Sequence, residues 1–420
     1  MRNKSQIVVG LEVGTSKVCA IVGEIRPDDN IHVLGVGRAQ SIGVKKGEIV
    51  DFEYASQAIY EAIHQAEEKA QVEIGEVYLS VTGSHVVSGD SRGQVEVSGE
   101  EGEVCLEDID DVLEEAKDNS PLKDRELLHA ILAQYYVDGK QKIKNPMGQL
   151  GKNLEADYHM VYGDELRLKN TVKCVKHCSV NIEGAVFAAL ASAQAVLTEE
   201  DKRHGAILID VGGGTSDYIV YCDDAVKHTG VLAVGGDHVT NDISLGLKPS
   251  LAVAERMKIE HGSIGLEDTL SEETVVMHPG SGFEEQYYHK GSLCLIMRAR
   301  YQEILEIIRE DIRSRGLMPF VGHGVFLTGG ASQVEGLQEL AAEVFEMPVR
   351  VQTVGPRSRH GGKDKEARPV QKDPEFSVVV GLLKYAQLVE AEKVVRFRPW
   401  DRFGEKIAKL FMSVRSIFFA

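Results

Sequence analysis

Two stretches of this chain, about two hundred residues apart, follow one pattern. The first reads IVVGLEVGTSKVCAIVGEI from Ile7; the second reads AILIDVGGGTSDYIVYCDD from Ala206. Each is an apolar run, an acid, Val-Gly, a Gly/Thr/Ser turn and a second apolar run, which predicts a β-hairpin with a glycine and hydroxyl tip. Glycine lets a backbone turn tightly and approach a ligand closely. The tip N–H groups, with the hydroxyls of Thr15, Ser16, Thr215 and Ser216, can then cradle phosphate oxygens. The acids just before the tips, Glu12 and Asp210, are placed to hold a hydrated Mg²⁺. One such hairpin is equally a plain glycine turn. Two, each with an acid at the same offset, imply two similar halves clamping a phosphate chain.

The familiar alternatives are absent. No G-x-x-x-x-G-K-[ST] and no complete G-x-G-x-x-G occurs, so neither a P-loop nor a dinucleotide fingerprint is indicated. Two further stretches fit a nucleotide cleft. VFLTGGASQVEGLQELAAEVF predicts a buried strand, a Gly329-Gly330 turn with room for a flat base, and a helix from near Ser332. AVGGDHVTNDIS sets Gly235 and Gly236 ahead of a helix, whose first N–H groups favour anions. In LAVAERMKIEHG, Glu255 and Lys258 stand three apart on one helical face. They can grip a ribose and base, or form a surface ion pair.

The length of 420 residues calls for two or more subdomains. A formal net charge of −18 disfavours nucleic acid as a partner. The N-terminal run carries no secretory pattern, and no run of about 18 uncharged apolar residues occurs, so the chain is expected to be cytosolic and to span no bilayer. The six cysteines are scattered, as suits a reducing compartment. KCVKHCS (Cys174, His177, Cys178) lacks the second pair that a zinc cluster needs, so no metal site is expected there.

The last residues differ in sign from the body. From Arg396 on, six Lys/Arg face only Asp401 and Glu405. Trp400, Phe403, Ile407, Leu410, Phe411, Val414, Ile417 and Phe418 fall on one helical stripe. Arg402, Lys406, Lys409 and Arg415 flank it and can snorkel towards a headgroup region. Residues 388–399 are charged without a core pattern and are expected to be a linker. The stripe could dock on its own core. Its charge, its tether and its bulky end favour an amphipathic helix (400–420) lying on anionic membrane lipids.

GLEVGTSKV, DVGGGTSDYIVY and LTGGASQVEGL resemble the two phosphate motifs and the adenosine motif of the actin-like ATPase superfamily. Their order, the IKNPMG stretch (Ile143 to Gly148), RARYQEIL (Arg298 to Leu305) and the tail are most similar to the FtsA family of bacterial cell-division proteins. The resemblance runs from about Ile7 to Leu388. It implies an α/β, actin-like (ribonuclease H-like) two-lobed fold, with an FtsA-type subdomain 1C and a C-terminal amphipathic helix. Subdomain 1A would hold 1–83 and 166–200, and 1C (SHS2-like) 84–165. Subdomain 2A would hold 201–235 and 306–387, and 2B 236–305. The acidic run LEDIDDVLEEAKDNS in 1C is given no catalytic role.

By the same resemblance, Gly14, Thr15, Ser16 and Lys17 meet phosphates from one side, and Gly212, Gly213, Gly214, Thr215 and Ser216 from the other. Gly235 and Gly236 would lie beside them. Asp210 and Glu12 would organise Mg²⁺ through water, and Gly329, Gly330, Ser332, Glu255 and Lys258 would line the adenosine. Where relatives often carry a Glu or Gln that orients the attacking water, this chain has Ala188, and Glu183 is expected to point elsewhere. ATP should therefore be bound tightly and hydrolysed slowly.

The family further implies filaments on the cytoplasmic face of the inner membrane at the division septum. There it tethers the tubulin-like polymer FtsZ, whose C-terminal peptide docks on 2B. Arg300 matches an arginine of that contact and is otherwise a surface or structural salt bridge. Downstream division proteins would be further partners. The competing readings are a pilus-assembly type of actin-like adaptor and a sugar or carboxylate kinase of the superfamily.

Overall fold

The computed structural model describes residues 5–26, 30–139, 141–278, 284–352 and 373–396. The first sheet starts with β1 (Gln6–Val13), β2 (Lys17–Ile25) and β3 (Ile31–Gln40) as an antiparallel meander. A short pair follows, β4 (Val44–Lys45) and β5 (Glu48–Ile49), and then α1 (Phe52–Ala70) and β6 (Glu76–Val81). An inserted unit comes next: β7 (Val87–Glu96), α2 (Leu106–Asp118), β8 (Glu126–Val137), β9 (Gln141–Ile143) and β10 (Asn153–Gly163). Helix α3 (Glu165–His177) and β11 (Asn181–Phe187) return to the first sheet, and α4 (Ala188–Val196) leaves it.

The second sheet repeats the plan. After α5 (Glu199–His204) come β12 (Ala206–Val211), β13 (Ser216–Cys222) and β14 (Ala225–Leu232). A helical excursion follows: α6 (Gly236–Leu247), α7 (Leu251–His261), the hairpin β15 (Thr274–Met277) and β16 (Gln286–His289), and α8 (Lys290–Ser314). Then come β17 (Gly324–Thr328), α9 (Leu337–Phe345), β18 (Val349–Val351) and α10 (Ser377–Arg396).

Strand order in the first sheet is β3-β2-β1-β6-β11, and in the second β14-β13-β12-β17-β18. In both, the opening hairpin is antiparallel and the fourth strand joins its first strand in parallel. The repeat legible in the sequence is thus a repeat of topology. Strands β12 and β13 are buried along their whole length, as central strands covered on both faces must be. The insert has its own antiparallel sheet, β7-β10-β8-β9, and its own core. Helix α2 lays Ile109, Val112, Leu113 and Ala116 on that sheet and turns most of its acids to water.

Helix α4 joins the lobes. All nine of its residues are buried, and it packs on strands of both sheets and on α10. Its start is held by the insert: the Phe187 N–H donates to His129 Nε2 on β8 at 2.9 Å. Glu183 lies on strand β11, ahead of α4, which starts only at Ala188.

Two expected boundaries are corrected. Residues 377–387, expected in the second lobe, lie on the first: α10 packs on α4, β1, β2 and β6, so the chain ends its described course on the first sheet. The expected linker also begins as helix. α10 continues unbroken to Arg396, because Val389 packs against the core and Glu390 is buried. The stripe from Trp400 to Phe418 and the basic residues beside it lie outside the described residues. Among the described residues, no helix is long and apolar enough to cross a membrane.

Candidate nucleotide cleft

The two hairpins have the same turn. Gly14 N donates to Lys17 O at 3.0 Å, and Gly212 N donates to Thr215 O at 2.9 Å. The tips face each other: a Cβ on Gly213 would lie 3.0 Å from the Ser16 Cβ, and one on Gly214 would lie 2.4 Å from Thr15 Oγ1. Only glycines allow so close an approach. The structure therefore brings Gly14 to Lys17 and Gly212 to Ser216 to one place.

Three of the four hydroxyls, those of Thr15, Thr215 and Ser216, do a different job from the expected one. Thr15 Oγ1 accepts from Gly47 N at 3.0 Å, Thr215 Oγ1 donates to Asp217 Oδ2 at 2.9 Å, and Ser216 Oγ donates to Val234 O at 2.8 Å. They hold the loops in shape. Among the described residues, the N–H groups of Thr15, Ser16, Gly213 and Gly214 have no hydrogen-bond acceptor, which leaves them free to meet an anion.

The glycines at 235–236 do not present their N–H groups outward as expected. Gly236 N donates to Gly212 O at 3.0 Å and Asp237 N to Gly213 O at 2.8 Å. Gly235 N donates to His238 Nδ1. These N–H groups are taken, and they fasten the start of α6 to the second hairpin loop instead of facing an anion.

Behind the tips lies a buried group of charges. Lys17 Nζ bonds Glu12 Oε1 at 3.1 Å. Burial would push the Lys17 ammonium down, but the charge of Glu12 and its hydrogen bond, with Cys19 and Glu375, hold it above its ordinary value. Asp210 bonds the Ser192 hydroxyl of α4. Burial pushes its carboxyl up to about 6, against the Ser192 hydrogen bond and with the help of the Glu12 charge. Asp217, the register partner of Asp210, is pushed up to about 7 by burial, although Thr82 and Thr215 hydrogen-bond it. Thr82 Oγ1 reaches Asp217 Oδ1 at 2.5 Å across the lobes.

Glu12 Oε2 is buried and has no hydrogen-bond partner among the described residues. An orphaned carboxylate oxygen beside a second buried carboxylate is the donor set of a hard, hydrated dication. The residues present therefore fit Mg²⁺, which Glu12 and Asp210 would hold.

At the turn expected to face adenosine, β17 is followed by Gly329 with φ +89°. A Cβ there would lie 2.3 Å from Asp210 Oδ1 and 2.5 Å from Val211 O, so only glycine serves. Gly330 is open, its nearest neighbour being Glu375 Cβ at 3.7 Å. Ser332 is not on the lining. It is buried, and its hydroxyl closes the turn onto Gly329 O at 2.7 Å. Nor does a helix start there: Gly330–Gln333 is one 3₁₀ turn, and α9 begins at Leu337 after Gly336.

Lys258 Nζ bonds Glu255 Oε2 at 2.6 Å, Thr240 Oγ1 at 2.8 Å and Gly236 O at 3.1 Å. A Cβ on Gly236 would sit 3.2 Å from that of Ala331 and 3.5 Å from Lys258 Nζ, so this pair does stand beside the 329–331 turn. Arg300 is engaged: its Nε and Nη2 hold Asp242 of α6 at 2.6 and 3.1 Å, and its Nη1 pairs with Glu303. Cys174 is buried, and Cys178 donates to Ser56 O on α1. No metal cluster forms around them among the described residues.

Sequence reasoning missed Asp217, Thr82 and Ser192. Asp217 could have been found: a turn centred between Gly213 and Gly214 pairs it with Asp210. The other two are brought in by tertiary packing and carry no local signal.

Two matched sheets with facing hairpin loops, joined by a buried helix and closed by a glycine turn, define a protein of the actin-like ATPase fold. Solved structures agree. The chain is similar to the PilM–PilN type IV pilus biogenesis complex, with a TM-score of 0.62 and 14% identity over 90% of this chain and 98% of that one. It is also similar to MreB5 of Spiroplasma citri bound to ADP, with a TM-score of 0.53 and 14% identity over 93% of this chain and 98% of that one. The family is narrower. The model for "Cell division protein FtsA" matches residues 207–381, and that for "SHS2 domain inserted in FTSA" matches 83–162, the inserted unit. Cell division protein FtsA of Pseudomonas aeruginosa is 34% identical over 90% of this chain and 89% of its own length. That of Escherichia coli K12 is 34% identical over 91% and 90%, and that of Neisseria meningitidis 34% over 93% and 92%. The chain belongs to the FtsA family of cell-division proteins.

Proposed function

We propose that this chain is an ATP-binding, actin-like adaptor that assembles on the cytoplasmic membrane and tethers the FtsZ polymer there, recruiting later division proteins. The observation that carries the nucleotide part is the pair of facing hairpin tips backed by Glu12, Lys17 and Asp210. The backbone N–H groups of 15–16 and 213–214 bind phosphate oxygens. Glu12 and Asp210 hold Mg²⁺ through water, and that ion would screen the phosphate charges. Glu255, Lys258 and the 329–330 turn take the nucleoside.

Hydrolysis is slow in this reading. The face of α4 that reaches Asp210 offers Ser192, and its first residue is Ala188, so no carboxylate or amide there orients a water. Nucleotide then sets the shape of the cleft. The pilus-type adaptor shares the fold, but the FtsA and SHS2 matches favour division. Membrane binding rests on the amphipathic stripe from Trp400 to Phe418, and weak single helices add up once the bodies polymerise.

The test is co-sedimentation with anionic and neutral liposomes, with and without Mg-ATP, comparing the full chain with one ending at Val395. Pelleting of the full chain alone, preferring anionic lipid and bringing FtsZ down, is expected. A full chain that binds lipid but leaves FtsZ in solution overturns the tether. Equal behaviour of the two chains overturns the anchor.

A further inference from the structure

The cleft leaves unused a group of side chains at the other end of the same two strands. Helix α5 ends at His204 just before β12, and His323 comes just before β17. Glu200, His204 and His323 each offer one ligand atom, and these atoms lie within 4.8 Å of one another. Glu200 and His204 are four apart on α5 and so share a face. His204 also sits in the last turn, where the helix dipole favours a cation.

The backbone fixes the two histidines together. Gly322 N donates to His204 O at 3.0 Å and His323 N to Gly205 O at 2.8 Å. Gly205 has φ +87°, and a Cβ there would stand 1.9 Å from Phe320 O, so this crossing is made for glycine. The two rings stack with centroids 4.7 Å apart and planes 12° from parallel.

Their protonation is also set. His204 Nδ1 lies 3.0 Å from Glu200 O, and His323 Nδ1 lies 3.0 Å from Asp201 Oδ1. A carbonyl and a carboxylate only accept, so each neutral ring carries its proton on Nδ1 and keeps the Nε2 lone pair free. This is the outer shell that orients metal-binding imidazoles. Asp201 is itself held: its other oxygen accepts from Thr198 N at 2.8 Å and from Thr198 Oγ1 at 2.6 Å.

We propose that His204, His323 and Glu200 bind a divalent ion of the zinc class, with three protein ligands and one position left for water. The nitrogen-rich set selects such an ion over Mg²⁺ and Ca²⁺, which take oxygen ligands. Ligand atoms on a tetrahedral zinc stand about 3.4 Å apart, for bonds of about 2.1 Å. Glu200 is exposed, so its carboxylate can swing in, and tilting of the two stacked rings about their Nδ1 contacts closes the remaining gap without moving the backbone. The bound ion would clip α5 to the segment entering β17.

The test titrates the chelator-stripped full chain with Zn²⁺ and with Co²⁺ by calorimetry and visible absorption, in excess Mg²⁺ so that the cleft carboxylates are occupied. One ion per chain is expected, with a tetrahedral Co²⁺ band and no thiolate charge-transfer band. His204→Ala and His323→Ala should each weaken binding at least about tenfold, and Glu200→Gln about as much. Circular dichroism melts of the metal-free variants report on the fold. Absence of stoichiometric binding, unchanged affinity in both folded histidine variants, or a thiolate band pointing to Cys174 and Cys178 would each overturn the proposal.

Discussion

His129 makes the root of the inserted unit sensitive to acid. It lies on β8, only 1% exposed, and its Nε2 accepts the Phe187 N–H at the start of α4. The ring packs edge-on against Tyr385 of α10. Burial pushes its pKa down to about 3 from an ordinary value of 6.5. A base with a depressed folded pKa is favoured in its neutral form, so its stabilisation is complete above the ordinary value. It is lost as pH falls towards the folded value, because the open state takes up the proton first. Each pH unit inside that window costs about 1.4 kcal/mol. Between pH 7.5 and pH 5 the loss sums to about 2 kcal/mol, or about a thirty-fold rise in local opening.

Hydrogen exchange of peptides spanning β11 and the start of α4, corrected for the intrinsic pH dependence, reads this directly. The control is His129→Gln, whose amide oxygen can still accept from Phe187 N but cannot be protonated. The variant starts from lower protection because its packing is poorer, yet its protection should fall about thirty-fold less over the same pH interval. If wild type and His129→Gln lose protection in parallel, the acid response belongs to other groups and the reasoning fails.

Gly329→Ala should weaken Mg-ATP binding by about tenfold or more, because the new Cβ meets Asp210 and Val211 O; unchanged affinity by fluorescence titration would remove the turn from the site. Lys258→Ala removes three hydrogen bonds that fix α6 and α7 beside that turn, and an affinity loss of about tenfold is expected in the same assay. Asp242→Asn removes the charge that holds Arg300 Nε and Nη2 and leaves Glu303 paired with it, whereas Arg300→Glu reverses its charge. If Arg300 receives an acidic peptide, the first keeps or raises binding of the FtsZ C-terminal peptide and the second abolishes it. Equal loss in both would make the pair purely structural.

The parts of this molecule written in the sequence are those whose physics is local. A glycine turn between alternating apolar runs predicts a hairpin wherever it occurs, and both appear as read, with sheets of matching order around them. Glu255 and Lys258 were legible as a helical pair because spacing alone puts them on one face. What failed depended on partners far along the chain. Nothing in AVGGDHV says that its N–H groups will be consumed by Gly212 and Gly213. The charged run after Leu388 reads as a tether, yet Val389 and the buried Glu390 keep it helical. VEG at 334–336 delays α9 because Gly336 sits at φ +89°. The return of α10 to the first sheet is set by contacts with α4 and β1 that no window of sequence contains.

The same distant contacts join the cleft to the insert. Thr82, at the root of the insert, donates to Asp217 on the second hairpin. From the face of the insert, Ser88 Oγ donates to Thr229 O at 2.8 Å. His159 gives its Nδ1 proton to Asp90, so its Nε2 accepts the Thr229 hydroxyl at 3.0 Å. Thr229 belongs to β14, which runs on to Val234, whose carbonyl holds Ser216, and then to Gly236, whose N–H holds Gly212. The loop that would meet phosphate and the surface that bears on the insert are therefore two ends of one short segment. A ligand that shifted residues 212–216 would displace Val234 and Gly236 or strain their bonds, and β14 would be the contiguous route from there to His159 and Ser88. An insert gripped at its root by the second hairpin and at its face by β14 is well placed to report cleft state, which is what a protein needs if it uses nucleotide for shape and not for turnover.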